Sequence, residues 1–319
     1  AVRGKLVPQD PNDEPASELL KRISKERGRL EAEGASRKSK PMPPVGKDEQ
    51  WFEGPNGWAY TRLGKLVMES GAGWSPSCES RPREGDEWGI LKVSAVSWGT
   101  FDAGQNKALP SALEPRPEHE VAAGDFLVSR ANTAELVARS VVVEDCPRHL
   151  MLSDKIVRLK LSKLVDGRFI NCTNLCEQAR NYYAAIAGGT SASMKNVSRE
   201  QILNLVVSLP PLAEQHRIVA KVDELMALCD RLEAEQTDAG AAHARLVTTL
   251  LGTLTNSADA AELAANWQRL AEHFDTLFTT ESSLDALKQT ILQLAVMGKL
   301  VPQDPNDEPA SELLKRIAK

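Results

Sequence analysis

Apolar residues recur at Ile218, Val222, Leu225, Cys229 and Leu232 in alternating steps of four and three, with Lys221, Asp223, Glu224, Asp230, Arg231 and Glu233 between them. That spacing predicts a helix of roughly 24 residues carrying a heptad seam. Leu209-Pro210-Pro211-Leu212 marks its start, because proline cannot continue a strand ladder but fits where a helix's first N–H groups are unpaired anyway. A second seam, Leu284, Leu287, Ile291 and Leu294, lies in a helix expected to begin at Thr280 or Ser282 and stop at Gly298. Two seamed helices in one chain pair most simply with each other, antiparallel. The plainer alternative is two amphipathic helices on an ordinary core. Residues 211–319 read as almost wholly helical, with a break at Asn256-Ser257.

Between Gln50 and Ser208 the pattern changes to short β-like runs: Trp58–Leu63, Gly89–Val96, Asp125–Val128, Val137–Val143, Ile156–Leu161 and Val206–Leu209. Gly and Pro turns separate them. Helices are expected over Asn171–Ala187 and Ser198–Asn204, the latter opened by the capping box Ser198-x-x-Gln201. The fold class is therefore α+β: a globular domain with a mixed sheet, plus long antiparallel coiled-coil helices. The expected divisions are a helix within 1–34, a linker over 35–50, the globular domain over 51–210 and the helical region over 211–319.

Residues 1–25 recur at 295–319 with two differences, Arg3 against Met297 and Ser24 against Ala318. Solenoid repeats have periods of roughly 20–50 residues, so this is no solenoid. The chain ends as it begins, which reads as a half-length protein or a piece of a longer one built of two similar halves.

Charge alters the picture in one respect. Residues 211–319 carry 17 acidic and 10 basic side chains, whereas residues 51–210 carry 18 of each. A DNA-binding surface, if present, is thus local rather than global. No apolar run nears a membrane span and no signal-peptide pattern opens the chain. The five cysteines (Cys78, Cys146, Cys172, Cys176, Cys229) accordingly read as reduced cytoplasmic thiols. Cys172-x3-Cys176 lacks a second pair at metal spacing, so no metal site is expected. The sequence contains no Gly-x-x-x-x-Gly-Lys-Ser/Thr, no Asn/Asp-Pro-Pro-aromatic tetrapeptide and no acidic-x-Lys triplet, which argues against nucleotide hydrolysis, adenine methylation and metal-dependent DNA cleavage in this chain.

Two polar loops stand out. Ser129-Arg130-Ala131-Asn132-Thr133 follows a strand, and Gly188-Gly189-Thr190-Ser191-Ala192-Ser193-Met194-Lys195-Asn196 follows a helix. Each combines small residues, hydroxyls, an amide and a long cation, the groups that meet phosphates and base edges. Lys92 and Ser94, flanked by Trp88, Trp98 and Phe101, form a further candidate surface. The alternative is capped loops and core aromatics.

Pro210-Pro211-Leu212-Ala213-Glu214-Gln215-His216-Arg217-Ile218-Val219 resembles the specificity subunits of type I restriction–modification enzymes. So do Lys288 through Pro302, Gly57-Trp58 through Gly64, Gly73-Trp74-Ser75-Pro76, Leu91-Lys92-Val93-Ser94, Ser129 through Thr133 and Gly189-Thr190-Ser191. The resemblance implies a non-catalytic, cytoplasmic reader of double-stranded DNA. Its target-recognition domain, residues 51–210, would read one half-site, with Lys92, Ser94, Arg130, Asn132, Thr133, Thr190, Ser191, Lys195 and Asn196 as candidate contacts. Its helices would dock methyltransferase subunits and, through the complex, restriction subunits. S-adenosylmethionine and ATP/Mg would belong to those partners, with no cofactor in this chain. Full subunits of the family carry two recognition domains, which makes a homodimer of half-subunits possible here. The rival expectation is a coiled-coil scaffold whose α+β domain binds protein or a small ligand.

Overall fold

The computed structural model describes residues 1–34, 41–189, 194–301, 304 and 306–318. It divides into two compact units, Ala1–Leu225 and Met226–Lys319. The first unit opens with helix α1 (Ala16–Ala32) and then strands β1 (Ala59–Arg62), β2 (Val67–Ala72), β3 (Gly89–Leu91) and β4 (Asn106–Ala108). Strands β5 (Phe126–Ser129), β6 (Ala131–Asn132), β7 (Ser140–Val142), β8 (Leu150–Met151) and β9 (Ile156–Leu161) follow. Helices α2 (Gly167–Leu175) and α3 (Glu177–Ile186), strand β10 (Lys195–Asn196), helix α4 (Arg199–Leu203) and strand β11 (Val206–Leu209) complete it before α5 (Leu212–Thr255) begins.

A four-stranded sheet in the order β2-β9-β5-β7 is wholly antiparallel. A second sheet, β4-β3-β8, is mixed, with β3 and β8 parallel. The β5 run Phe126-Leu127-Val128-Ser129 is buried on both faces, since Phe126 and Val128 enter one apolar cluster and Leu127 the other. The expected Asn171–Ala187 helix is two helices that meet at an extended Cys176. Ser198 caps α4 through the reciprocal bonds with Gln201.

The N-terminal helix is not a separate division. Its stripe Ala16, Leu19 and Ile23, at helical spacing, lies buried in the main core of the first unit. Each aliphatic side chain of Leu or Ile size contributes roughly 1.5–3 kcal/mol by such burial. The Ala16 N–H, orphaned at a helix start, donates to the Gly57 carbonyl at 2.8 Å. Of the expected linker, residues 35–40 lie outside the described residues. Its end is pinned by Glu49, whose carboxylate accepts from the Arg62 guanidinium at 2.6 Å.

The Pro210–Arg217 stretch is a clasp. The Trp58 indole Nε1 donates to Glu214 Oε2 at 2.9 Å, and Arg217 Nη2 donates to Asp13 Oδ2 at 2.6 Å. Gln215 accepts from the Asp166 amide through Oε1 and donates to the Pro210 carbonyl through Nε2, both at 2.9 Å. Asp166 in turn caps α2. Burial pushes the Glu214 carboxyl above its ordinary range against the pull of the Trp58 bond and of Arg217. These residues thus tie the N-terminal segment, the entry to β1 and the start of α2 to one helical turn.

The second unit holds the end of α5 with α6 (Ala260–Glu272), α7 (Phe274–Leu277), α8 (Glu281–Val296) and α9 (Ala310–Ile317). Helix α5 runs 44 residues, well past the seam that predicted it. The pairing of the two seams is corrected. Ile218 and Val222 pack into the core of the first unit, while Leu225, Cys229 and Leu232 are exposed, Leu232 at 53%. On α8 the buried positions are Ser283, Leu287, Thr290 and Leu294, whereas Leu284 is exposed. Leu287 and Leu294 meet Val247, Leu251 and Leu254, nearer the end of α5, with Ile291 at the edge of the same cluster. The antiparallel neighbour of this end of α5 is α6, folded back after Thr255: Asn266 Nδ2 donates to the Thr253 carbonyl at 3.3 Å and to Ser257 Oγ at 3.0 Å. Helix α8 then runs in the direction of α5, since His243 lies 3.3 Å from the Thr276 carbonyl before it and Lys299 Nζ, after it, donates to the Thr255 carbonyl at 3.0 Å. A three-four apolar alternation fits a helical partner or a globular core equally well, which is why the pattern alone misassigned the partner.

The repeated segments fold alike locally. Asn12 and Asn306 donate their amide N–H groups to Asp10 and Asp304 at 2.9 Å, and Lys21 and Lys315 bond Glu18 and Glu312 at 2.7 Å. Their burial differs. Leu19 and Ile23 are sealed, but their equivalents Leu313 and Ile317 are 46% and 71% exposed.

Candidate nucleic-acid interface

The base of the β5–β7 connection is held from behind. Ser129, buried at the end of β5, accepts from the Ala138 amide at 2.8 Å and donates its own N–H to the Arg139 carbonyl at 2.9 Å. Its hydroxyl donates to the Leu136 carbonyl at 2.8 Å. Ala138 turns the chain in the left-handed region at φ 58°. From α2, Asn174 Nδ2 donates to the Ala138 carbonyl and to Ser140 Oγ, each at 2.8 Å, and from α3 the Tyr183 hydroxyl donates to Asn174 Oδ1 at 2.7 Å. Burial pushes the Tyr183 phenol up, so it stays a neutral donor. A satisfied buried network of this kind fixes one geometry for the segment in front of it.

In front, β6 pairs antiparallel with β10, placing Lys195 opposite Asn132 and Asn196 opposite Ala131. The Val197 amide extends the ladder to the Arg130 carbonyl at 2.9 Å, and Gly188 and Asn196 exchange two backbone bonds of 2.9 Å. Gly189 is required here: at φ 118° its missing Cβ would stand 2.3 Å from the Met194 carbonyl oxygen. Lys195 Nζ donates to the Gly189 carbonyl at 2.7 Å and keeps two further N–H groups.

A third stretch joins through Asn132, whose Nδ2 donates to Ser97 Oγ at 2.9 Å while Ser97 Oγ donates to the Val93 carbonyl at 2.7 Å. Ser94 Oγ donates to Gln105 Oε1 at 2.9 Å, and the Lys92 amide donates to the Gln105 carbonyl at 2.9 Å. The candidates in 92–94, 130–133 and 195–196 therefore share one hydrogen-bonded neighbourhood. Thr190 and Ser191 lie outside the described residues. Asn132 is largely committed within the protein, because its Oδ1 also accepts from the Thr133 amide at 2.9 Å. That makes it a positioning residue for the turn. Thr133 and Asn196 are exposed, and among the described residues the Arg130 side chain has no hydrogen-bond partner.

Ser97, Gln105, Arg139 and Arg180 carry no local signal that marks them in the sequence. Arg180 Nη2 and Arg139 Nε both donate to the Glu135 carbonyl, at 3.1 and 3.3 Å. Burial, reinforced by the Arg139 charge, pulls the Arg180 guanidinium below its ordinary range. Arg139 and Arg180 thus brace the turn at Glu135, while Arg130 and Lys195 add cations to the backbone, hydroxyl and amide groups of the β6–β10 pair, donors suited to an anionic, hydrogen-bonding polymer.

No family model matches the chain. Among curated proteins it is 41% identical, over all of its length and 53% of the relative's, to the type I restriction enzyme EcoAI specificity subunit of Escherichia coli. It is 41% identical to the EcoEI specificity subunit of the same species over 99% of this chain and 52% of the relative. The EcoKI specificity subunit of strain K12 is 31% identical over 66% of this chain and 45% of its own. Among solved structures, a chain of a type I R-M system gives a TM-score of 0.44 at 19% identity, covering 72% of this chain and 52% of its own. The HsdS subunit from Thermoanaerobacter tengcongensis gives 0.40 at 18% identity, covering 69% and 50%.

Proposed function

Since the chain belongs to the specificity subunits of type I restriction enzymes and spans about half the length of the relatives it matches, we propose that it is a non-catalytic reader of one DNA half-site. The observation that carries this reading is the β6–β10 pair, which joins both polar loops and, through Asn132 and Ser97, the 92–97 turn. Arg130, Thr133, Lys195 and Asn196 face the duplex in this reading. S-adenosylmethionine and ATP chemistry lies with methyltransferase and restriction subunits, and the complex acts in the cytoplasm. The exposed stripe Leu225, Met226 and Leu232 on α5 suits a methyltransferase helix. A mobility-shift assay with and without methyltransferase subunits tests the reading. Lys195→Ala is expected to weaken binding to all sequences and lower the salt slope by about one, and Arg130→Ala to cost about 1–3 kcal/mol with relaxed selectivity. Absence of any sequence-selective shift, with or without partners, would return the scaffold reading.

The homodimer rests on the repeat. The apolar stripe that α1 buries is present again, exposed, on α9, so a second copy offers it an equivalent seat. Sedimentation at micromolar concentration should give about twice the 34.8 kDa chain mass, and the methylated target should be a palindrome. A mass near that of one chain, or an asymmetric target, rules the homodimer out.

A further inference from the structure

Trp98 is 72% exposed, whereas the other four tryptophans of the first unit, Trp51, Trp58, Trp74 and Trp88, pack against buried clusters. Phe101, its aromatic neighbour in sequence, also packs against one. Leaving an indole in water forfeits the contribution that burial of so large a side chain makes. Single exposed apolar residues need no explanation when they sit on featureless surface. This one does not. The residue before it, Ser97, is buried and receives the Asn132 amide at 2.9 Å, which ties the Trp98 turn directly to the β6–β10 pair. The turn is stiffened by Ser97 Oγ bonding Val93 at 2.7 Å and by the Asp102 amide bonding Ala95 at 3.0 Å. Gly99, at φ 91°, lets the chain reverse just after the indole. A large rigid aromatic is thereby held on a turn that one hydrogen bond joins to Asn132, the residue opposite Lys195 in the β6–β10 pair.

We infer that Trp98 is a stacking residue, set against a nucleobase exposed where the bound duplex is locally unstacked. The inference rests on the DNA-reading assignment and adds to it a contact that every base offers, independent of hydrogen-bond readout. Charge and shape select the occupant: Lys195, opposite Asn132 in the same hydrogen-bonded neighbourhood, suits a phosphate, and the indole suits the face of a base. Opening a stack is least costly where a base is already missing, so an abasic duplex isolates the contact.

The probe is a duplex of random sequence, intact or with a single central abasic site, titrated with the full chain and methyltransferase subunits in every arm. The parent should bind the abasic duplex about five- to thirty-fold more tightly than the intact one. Trp98→Ala should abolish that preference, and Trp98→Phe, which keeps a stacking face, should retain most of it. An equal preference in Trp98→Ala, or none in the parent while Lys195→Ala still weakens binding to both duplexes, overturns the stacking role and leaves DNA reading intact. Failure of the parent to bind either duplex removes the DNA reading and the stacking role together.

Discussion

Leu19→Asp is expected to unfold the first unit, while Leu313→Asp, the same substitution in the second copy of the same sequence, is expected to change stability by no more than about 0.5 kcal/mol. Leu19 is fully sealed in an apolar cluster with Ala16, Ile23, Leu63 and Leu209, so a carboxylate there is stripped of its water. The lost burial and the desolvated charge add to at least several kcal/mol, comparable with the whole stability of a domain. Leu313 is nearly half exposed, so its aspartate keeps its water. Urea unfolding followed by tryptophan fluorescence reads the difference, because five of the six tryptophans lie in the first unit. Similar midpoints for the two variants would mean that the repeats are equally buried. Adding the second copy at a concentration that supports dimerisation should make Leu313→Asp costly only to association.

Leu254→Asp is expected to be comparably severe in the second unit, and Leu232→Asp mild for folding yet disruptive for methyltransferase docking. Leu254 is sealed among Val247, Leu251, Leu270, Leu287 and Leu294, where an unpaired charge again costs several kcal/mol. Leu232 faces solvent in this chain, so a charge there costs folding little and spoils only a surface that a partner would cover. Circular dichroism at 222 nm in a urea titration separates the folding effects, and co-purification with a tagged methyltransferase subunit separates docking. Retention of docking by a folded Leu232→Asp protein would remove the exposed stripe from the proposed interface.

The α+β class, most strands and the start of α5 were legible because each carried a local signal. β5 is a compact apolar run, Ser198-x-x-Gln201 spells a capping box, and Pro210-Pro211 can only end a strand and open a helix. The seam was misread because Ile218 and Val222 look the same whether a helix or a sheet domain covers them. The candidate site was legible only in pieces. Strands β6 and β10 have two residues each, too few to show alternation, and exist only because the pair forms. Ser97 and Gln105 are ordinary polar residues in the sequence, and only the folded chain brings Ser97 to Asn132 and Gln105 to Ser94. Trp98 could not be told from Trp88 by spacing, because exposure is decided by what the rest of the chain covers.

The way the β5–β7 connection is anchored has a consequence for how such a protein can change over generations. Its restraints come from main-chain groups of Ser129, Ala138 and Arg139 and from Asn174 and Tyr183 on the helices behind. Thr133, Ala134 and Glu135 at the tip are exposed, and the bonds that Glu135 accepts from Arg139 and Arg180 reach its carbonyl, a group every amino acid carries. Substitutions at the tip can therefore be sampled one at a time without passing through an unfolded ancestor. Under the proposed DNA-reading role, the contacts this tip makes can change while the restraints behind it stay the same.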